Sequence, residues 1–298
     1  MIEYTIYALI TVVVMAFLAE IIDSGLGMMY GTILSPVLIA IGFSAFAVVP
    51  SILISQTMGG LTGTIFHHRY RNADFRLKSP HFKVVLAIVL PGLAAVLFGV
   101  WVAVNIPGWV MKSYIGILVI VMGFLCIFPL MYTFKWWKMS LVGIVSAFNK
   151  ALSGGGFGPV TSTGKILGGL DPKVSVATTT YAEVPICLSG FIIWYFMEGI
   201  YTVWWFPAAL CLGAILGAII GPYVTAKIDT RWLKTIVGLL AIISGLYLCY
   251  TVLQGFDETF SSMAYSFIFK QLGVNYYPSI WDWISKELTK IVGGWFGF

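Results

Sequence analysis

Glu20 and Asp23 early in this chain, and Lys150 and Glu183 later, are ionisable side chains set deep among its apolar stretches. A Lys at the centre of a bilayer costs on the order of 2.5–3.5 kcal/mol on insertion scales, so it persists where a partner or a substrate uses it. The chemistry open to this set is contact with a small anion by Lys150 and carriage of a proton by Glu20, Asp23 or Glu183. The structural reading of the same residues is a Lys150–Asp23 ion pair. The two readings overlap, because a pair that opens on substrate binding does both.

Glycine-rich breaks accompany these charges. Ser24-Gly25-x-Gly27 follows the two acids, and Ser153-Gly154-Gly155-Gly156 follows Lys150. Where a helix restarts after such a break, its first N–H groups are unpaired and its dipole places partial positive charge at the tip. Glycine lets the backbone turn and lets an anion approach the amides. The predicted substrate contacts are therefore Ser24, Gly25, Gly27, Lys150, Ser153, Gly154, Gly155 and Gly156. The bland reading is that the glycines relieve crowding where helices cross. Gly59-x3-Gly63 and Gly213-x3-Gly217-x3-Gly221 are given that role alone.

Gln56 and Glu183 stand at an offset of 127, after Pro50-Ser51 and Thr178-Thr179-Thr180 respectively. Hydroxyls and an acid there suit an ion path, which adds Gln56 to the coupling set of Glu20, Asp23 and Glu183, and Thr179 to the substrate set. Helix–helix hydrogen bonding is the alternative. Lys165 is explained by snorkelling at the end of a short helix. His67, His68 and His81 read as residues of a basic loop, with no metal site and no cofactor implied.

The elements that must position these residues are membrane helices. The chain is 59% hydrophobic and 10% charged, against roughly 25% charged in a soluble domain. Its apolar runs are continuous, as in helices, and lack the alternation of barrel strands. The first run lacks a basic n-region and a small-residue cleavage site, so it reads as a membrane segment and not a signal peptide. Apolar segments fall near 5–22, 28–41, 46–66, 84–104, 109–132, 139–152, 157–168, 174–197, 202–226 and 232–253. Lys112-x3-Gly116-x6-Gly123 returns as Lys234-x3-Gly238-x6-Gly245 at an offset of 122, and the Ser-Gly-x-Gly break returns at 129. The chain therefore reads as membrane repeats over 1–133 and 134–253 with an aromatic, amphipathic tail over 254–298.

Charge sets the sense of the repeats. Arg69, Arg71, Arg76, Lys78 and Lys83 mark one loop as cytoplasmic, whereas its counterpart around Glu198 carries no positive charge. Lys227, Arg231 and Lys234 reverse the pattern in the second half. The expectation is an all-α polytopic protein of the cell membrane, two inverted repeats of about five segments each. Each repeat includes a re-entrant or broken-helix hairpin, and both termini lie outside. The net charge of +5 resides in these loops and needs no nucleic-acid partner. The cysteines, Cys126, Cys187, Cys211 and Cys249, lie in apolar runs without CxxC spacing and read as packing residues. A homo-oligomer is left open.

An intramembrane enzyme fits less well. A nucleophile at Ser153 needs a His base on a later segment, and no His follows His81. A passive anion channel is the other alternative, and it needs no coupling acid.

Gly25-Leu26-Gly27-Met28-Met29-Tyr30-Gly31, Pro36-Val37-Leu38, Ala47 to Ser51, His67-His68 and Asn72-Ala73-Asp74-Phe75 resemble the first half of the TauE/SafE sulfite exporter family. Ser153-Gly154-Gly155-Gly156-Phe157-Gly158-Pro159 and Gly168 to Thr180 resemble its second half. The resemblance spans about residues 5–253. It implies transport of sulfite, sulfonates or related anions coupled to an ion gradient, with the Gly-rich tips at Gly25, Gly27, Gly154, Gly155 and Gly156. Met28-Met29, where further glycines are common, and the long tail depart from the pattern.

Overall fold

Helices account for every element among the described residues: α1 (Ile2–Leu26), α2 (Tyr30–Ala40), α3 (Ala45–Arg69), α4 (Pro80–Asn105), α5 (Gly108–Ile127), α6 (Trp136–Ser153), α7 (Phe157–Leu167), α8 (Pro172–Met197) and α9 (Trp205–Lys227). The structure, a computed structural model, describes residues 2–27, 30–40, 43–128, 135–167, 169–198, 204–227, 239, 242–243 and 245–254, the last of these stretches also helical. The expected tail beyond Gln254, the basic loop beyond Lys227 and the boundary at 133–134 lie outside the described residues.

Local chemistry sets several helix starts. Ser79 and Asp171 cap α4 and α8, each followed by a Pro at the first helical position, where a missing N–H costs nothing. Ser44 caps α3 through the Phe46 amide. Five helices, α1, α3, α4, α8 and α9, are long and apolar enough to cross a membrane. At 11 residues each, α2 and α7 rise about 16 Å and cannot.

Close glycine contacts fix the directions. Gly213, Gly217 and Gly221 of α9 follow Val13, Phe17 and Ile21 of α1 in step, while Gly59 and Gly63 of α3 face Ala214 and Ala218. So α1, α3 and α9 run together. Gly92 and Gly99 of α4 follow Ala147 and Phe148 of α6, and Gly92 and Val96 follow Ile186 and Gly190 of α8. So α4, α6 and α8 run together. Leu53 meets Gly190 and Gly63 meets Thr180, which sets α3 against α8 and the two groups in opposite senses. The short helices return: α2 leads back to Phe43, which stacks at 4.5 Å on Phe206 near the start of α9.

One break lies later than the sequence suggests. The first helix does not stop at Ser24-Gly25 but continues to Leu26. Gly25 packs at the crossing with Gly221 and Val224, and the Ser24 hydroxyl donates back to the Glu20 carbonyl at 2.6 Å. The turn is made by Gly27, at φ +70°. In the second hairpin Gly154 takes the left-handed cap at φ +73° and Gly156 follows at +79°.

Candidate functional site

Gln56 is the twelfth of the 25 residues of α3, and Glu183 the twelfth of the 26 of α8, so both side chains leave the middle of a spanning helix. They meet there. The Gln56 amide nitrogen donates to Glu183 Oε1 and to Asp23 Oδ2, each at 3.2 Å. Its oxygen accepts from Lys150 Nζ, which lies 2.6 Å from Glu183 Oε1. Lys150 and Glu183 are only 2% and 6% exposed as side chains, which makes this a buried ion pair. Lys150 is thus paired with Glu183, and Gln56 is the bridge to Asp23. The sequence alternative of a direct Lys150–Asp23 pair is not what forms. Opposite spanning helices bring Gln56 and Glu183 together, a proximity that spacing along one chain does not reveal.

Asp23 has a second task. Its Oδ1 accepts the Tyr30 backbone N–H at 2.9 Å, so a carboxyl of α1 caps the first amide of α2. Tyr30, unforeseen in the sequence, is fully buried and donates its hydroxyl toward Ser55 Oγ at 3.0 Å. Glu20 lies on the same side of α1 as Asp23 and packs against Gly59 and Gly217. Its Oε2 is the one buried side-chain oxygen or nitrogen among the described residues without a hydrogen-bond partner.

The two tips do not clasp a common point. Gly154 packs on Ile52 and Ser24 packs on Gly63, positions 11 residues apart along α3 and so about 16 Å in rise. The charge cluster at Gln56 lies between them. Each tip instead touches the returning helix of the other hairpin. A Cβ on Gly31 of α2 would collide with the Gly154 carbonyl, and the Ser35 hydroxyl donates to the Ser153 carbonyl at 2.7 Å. On the other side, Ser162 of α7 donates to the Gly27 carbonyl at 2.7 Å and lies 2.7 Å from the Thr179 hydroxyl.

Protein oxygens occupy the second tip. The Gly155 N–H donates to Ser153 Oγ and the Gly156 N–H to Thr32 Oγ1, both at 3.1 Å. The Ser153 hydroxyl donates to the Asn149 carbonyl at 2.7 Å, the counterpart of Ser24 on Glu20. The arrangement therefore joins Lys150, Glu183, Gln56 and Asp23 directly. It keeps Ser24, Gly25, Gly27 and Thr179 on one side of them, and Ser153, Gly154, Gly155 and Gly156 on the other.

Two residues assigned to surface roles are buried. His67, with no exposed surface, faces the Ser24 carbonyl at 2.9 Å. Asn72 Nδ2 can only donate and lies 2.9 Å from His67 Nδ1, so His67 Nε2 carries the hydrogen given to Ser24. The imidazole is thereby committed to holding the end of α1. Lys165 is also fully buried, with Nζ 2.8 Å from Thr178 Oγ1. It does not snorkel, because α8 covers it.

The family model described as "Sulfite exporter TauE/SafE" matches residues 12–248. The chain is 27% identical over 246 residues to the probable membrane transporter protein YtnM of Bacillus subtilis (strain 168), covering 77% of this chain and 79% of that relative. No solved structure matches the chain significantly. The chain belongs to the TauE/SafE family, as the residue resemblance implied, and it is a multi-pass helical membrane protein.

Proposed function

We propose that this TauE/SafE-family chain is a secondary transporter for a small sulfur-containing anion, sulfite, a sulfonate or a similar ion, coupled to protons. The coarse reading, a membrane transporter, follows from the family and from the relative's description. The observation that carries the finer one is the buried Lys150–Glu183 pair, bridged through Gln56 to Asp23 at the centre of the two spanning helices. A buried pair tolerates no unmatched partner. An anion that takes Lys150 must therefore leave Glu183 to accept a proton or another cation, which links anion and proton movement in one step. Glu20, with its unpartnered oxygen one turn before Asp23, is the second proton carrier in this scheme.

Access alternates by rocking of two inverted repeats, 1–133 and 134–253, about this site. The opposite senses of α1, α3, α9 and of α4, α6, α8 support that symmetry. In this scheme the tip residues Ser24, Gly25, Gly27, Ser153, Gly154, Gly155 and Gly156, with Thr179, contact the anion as it passes each hairpin. The protein resides in the cell membrane with its N-terminus outside.

The test is flux of radiolabelled sulfite and of a sulfonate into proteoliposomes, with and without a pH gradient, for wild type and Lys150→Ala. Saturable, gradient-driven flux that disappears in Lys150→Ala supports the proposal. Non-saturating flux indifferent to the gradient supports a passive channel, and absence of flux for every anion removes the substrate assignment.

A further inference from the structure

We infer that Lys165 and Thr178 form a second anion site, outside the Lys150–Glu183 pair, at which the transported anion first binds; this rests on the transporter reading above. The ammonium of Lys165 has three donors, and one is used, by the Thr178 hydroxyl at 2.8 Å. The side chain is fully buried, yet no carboxylate lies within ion-pair distance among the described residues. Glu183, the nearest acid along α8, already holds Lys150. Burying a lysine amine that has, among the described residues, one hydroxyl as its hydrogen-bond partner is costly, and in a membrane protein such a residue marks a pathway. A small oxyanion supplies the missing charge and the missing acceptors together, through short charge-assisted bonds.

Its place in the fold points the same way. Thr178 is six residues into α8, about 9 Å from the helix start, and Glu183 is five residues further, about 7.5 Å. Ser175, Thr179 and Glu183 recur at intervals of four, so hydroxyls and then the acid line one face of α8. Ser162 joins that face through Thr179, and the Ser175 hydroxyl donates to the Ser162 carbonyl at 2.9 Å. Lys165 thus stands between the 169–171 turn and the central pair, along a wall of hydroxyl groups. An anion arriving from that end meets Lys165 before Lys150. The second hairpin supplies both cations, and the corresponding position of α2 at an offset of 129 is Pro36, so the site has no mirror copy.

The test uses the full-length protein in proteoliposomes with sulfite as the probe. Lys165→Met is expected to raise the KM for sulfite about 10- to 100-fold, the loss of one charge-assisted hydrogen bond, with a much smaller change in kcat. Lys165→Arg, which keeps the charge, is expected to restore most of it. In wild type, acetylation of Lys165 by acetic anhydride, read by mass spectrometry, is expected to be suppressed by saturating sulfite. That measurement decides the matter even where Lys165→Met does not fold. Wild-type flux with an unchanged KM in Lys165→Met overturns this inference and leaves the transporter reading intact. So does Lys165 labelling that sulfite does not affect, or a Lys165 that never reacts and hence has no aqueous access. Sulfite protection of Lys165 without sulfite flux supports the site and removes sulfite as the transported anion. Neither flux nor protection overturns both the site and the sulfite assignment.

Discussion

The two broken-helix hairpins occupy corresponding places in the fold and carry opposite chemistry. The helix that opens each hairpin carries in its last turn a Ser whose hydroxyl bonds back four residues, Ser24 to Glu20 and Ser153 to Asn149. The first hairpin carries two carboxyls, Glu20 and Asp23; the second brings an ammonium at Lys150, while Asn149 beside it accepts the Tyr114 hydroxyl. The breaks differ to match. A single glycine turns the first chain, and the Asp23 carboxyl caps its returning helix. Three consecutive glycines turn the second, and hydroxyls of Ser153 and Thr32 take its amides. A hairpin rich in acid can cap a helix with its own charge. One carrying a cation must borrow neutral acceptors, so its tip amides are held more weakly and are the easier ones for an anion to claim.

The largest expected effect comes from removing the only cation in the central cluster. Lys150→Met leaves Glu183 buried without its partner, a change that costs about 3–5 kcal/mol. Thermal unfolding in detergent should show a large drop in midpoint. Adding Glu183→Gln should recover most of it, because the orphaned charge is removed, while transport stays lost. If the double variant is no more stable than the single one, the unpaired Glu183 charge is not what destabilises Lys150→Met.

A second comparison concerns how tightly each glycine is required. Gly31 lies against the Gly154 carbonyl with no room for a Cβ, whereas a Cβ on Gly25 would make ordinary contacts with Gly221 and Val224 at 3.4–3.6 Å. Gly154 has space but a left-handed backbone. Gly31→Ala should therefore destabilise by about 1–3 kcal/mol through overpacking. Gly154→Ala should cost about 1 kcal/mol through backbone strain, and Gly25→Ala less than either. A flat ranking would mean that the contact between α2 and the second tip does not organise the hairpins.

The legibility of these features from sequence follows from their range. The spanning helices were readable because twenty-odd apolar residues leave little else to form in lipid. The hairpins were readable because α2 and α7 are too short to cross. The charged residues were readable as a set, since each is expensive in its segment. Their pairing was not. Gln56 meets Glu183 because α3 and α8 cross at their midpoints, and Lys150 reaches the same point from α6, a tertiary fact that no local spacing encodes. The break at Ser24-Gly25-x-Gly27 was readable, but not that Gly27 alone of these residues leaves the helix. The Ser-Gly pair before it has the composition of a break, but a close crossing with α9 holds it helical. His67 and Lys165 were misplaced for one reason: proximity to a loop in sequence says nothing about which helix covers the side chain.

The smallest expected effect on stability falls on the residue with the sharpest functional consequence. Glu20 Oε2 has no hydrogen-bond partner among the described residues, so Glu20→Gln breaks no bond seen at that atom and should change stability by less than about 1 kcal/mol. Glutamine nevertheless cannot take up and release a proton. If the acid hairpin carries protons while the basic hairpin carries the anion, Glu20→Gln should abolish pH-gradient-driven accumulation of sulfite yet preserve exchange of internal for external sulfite. That combination separates coupling from binding, and no purely structural role of Glu20 produces it. Loss of exchange together with accumulation would place Glu20 with the anion instead, and the division of labour between the two hairpins would fail. Accumulation at the wild-type level would take the proton away from Glu20 and leave Asp23 or Glu183 to carry it.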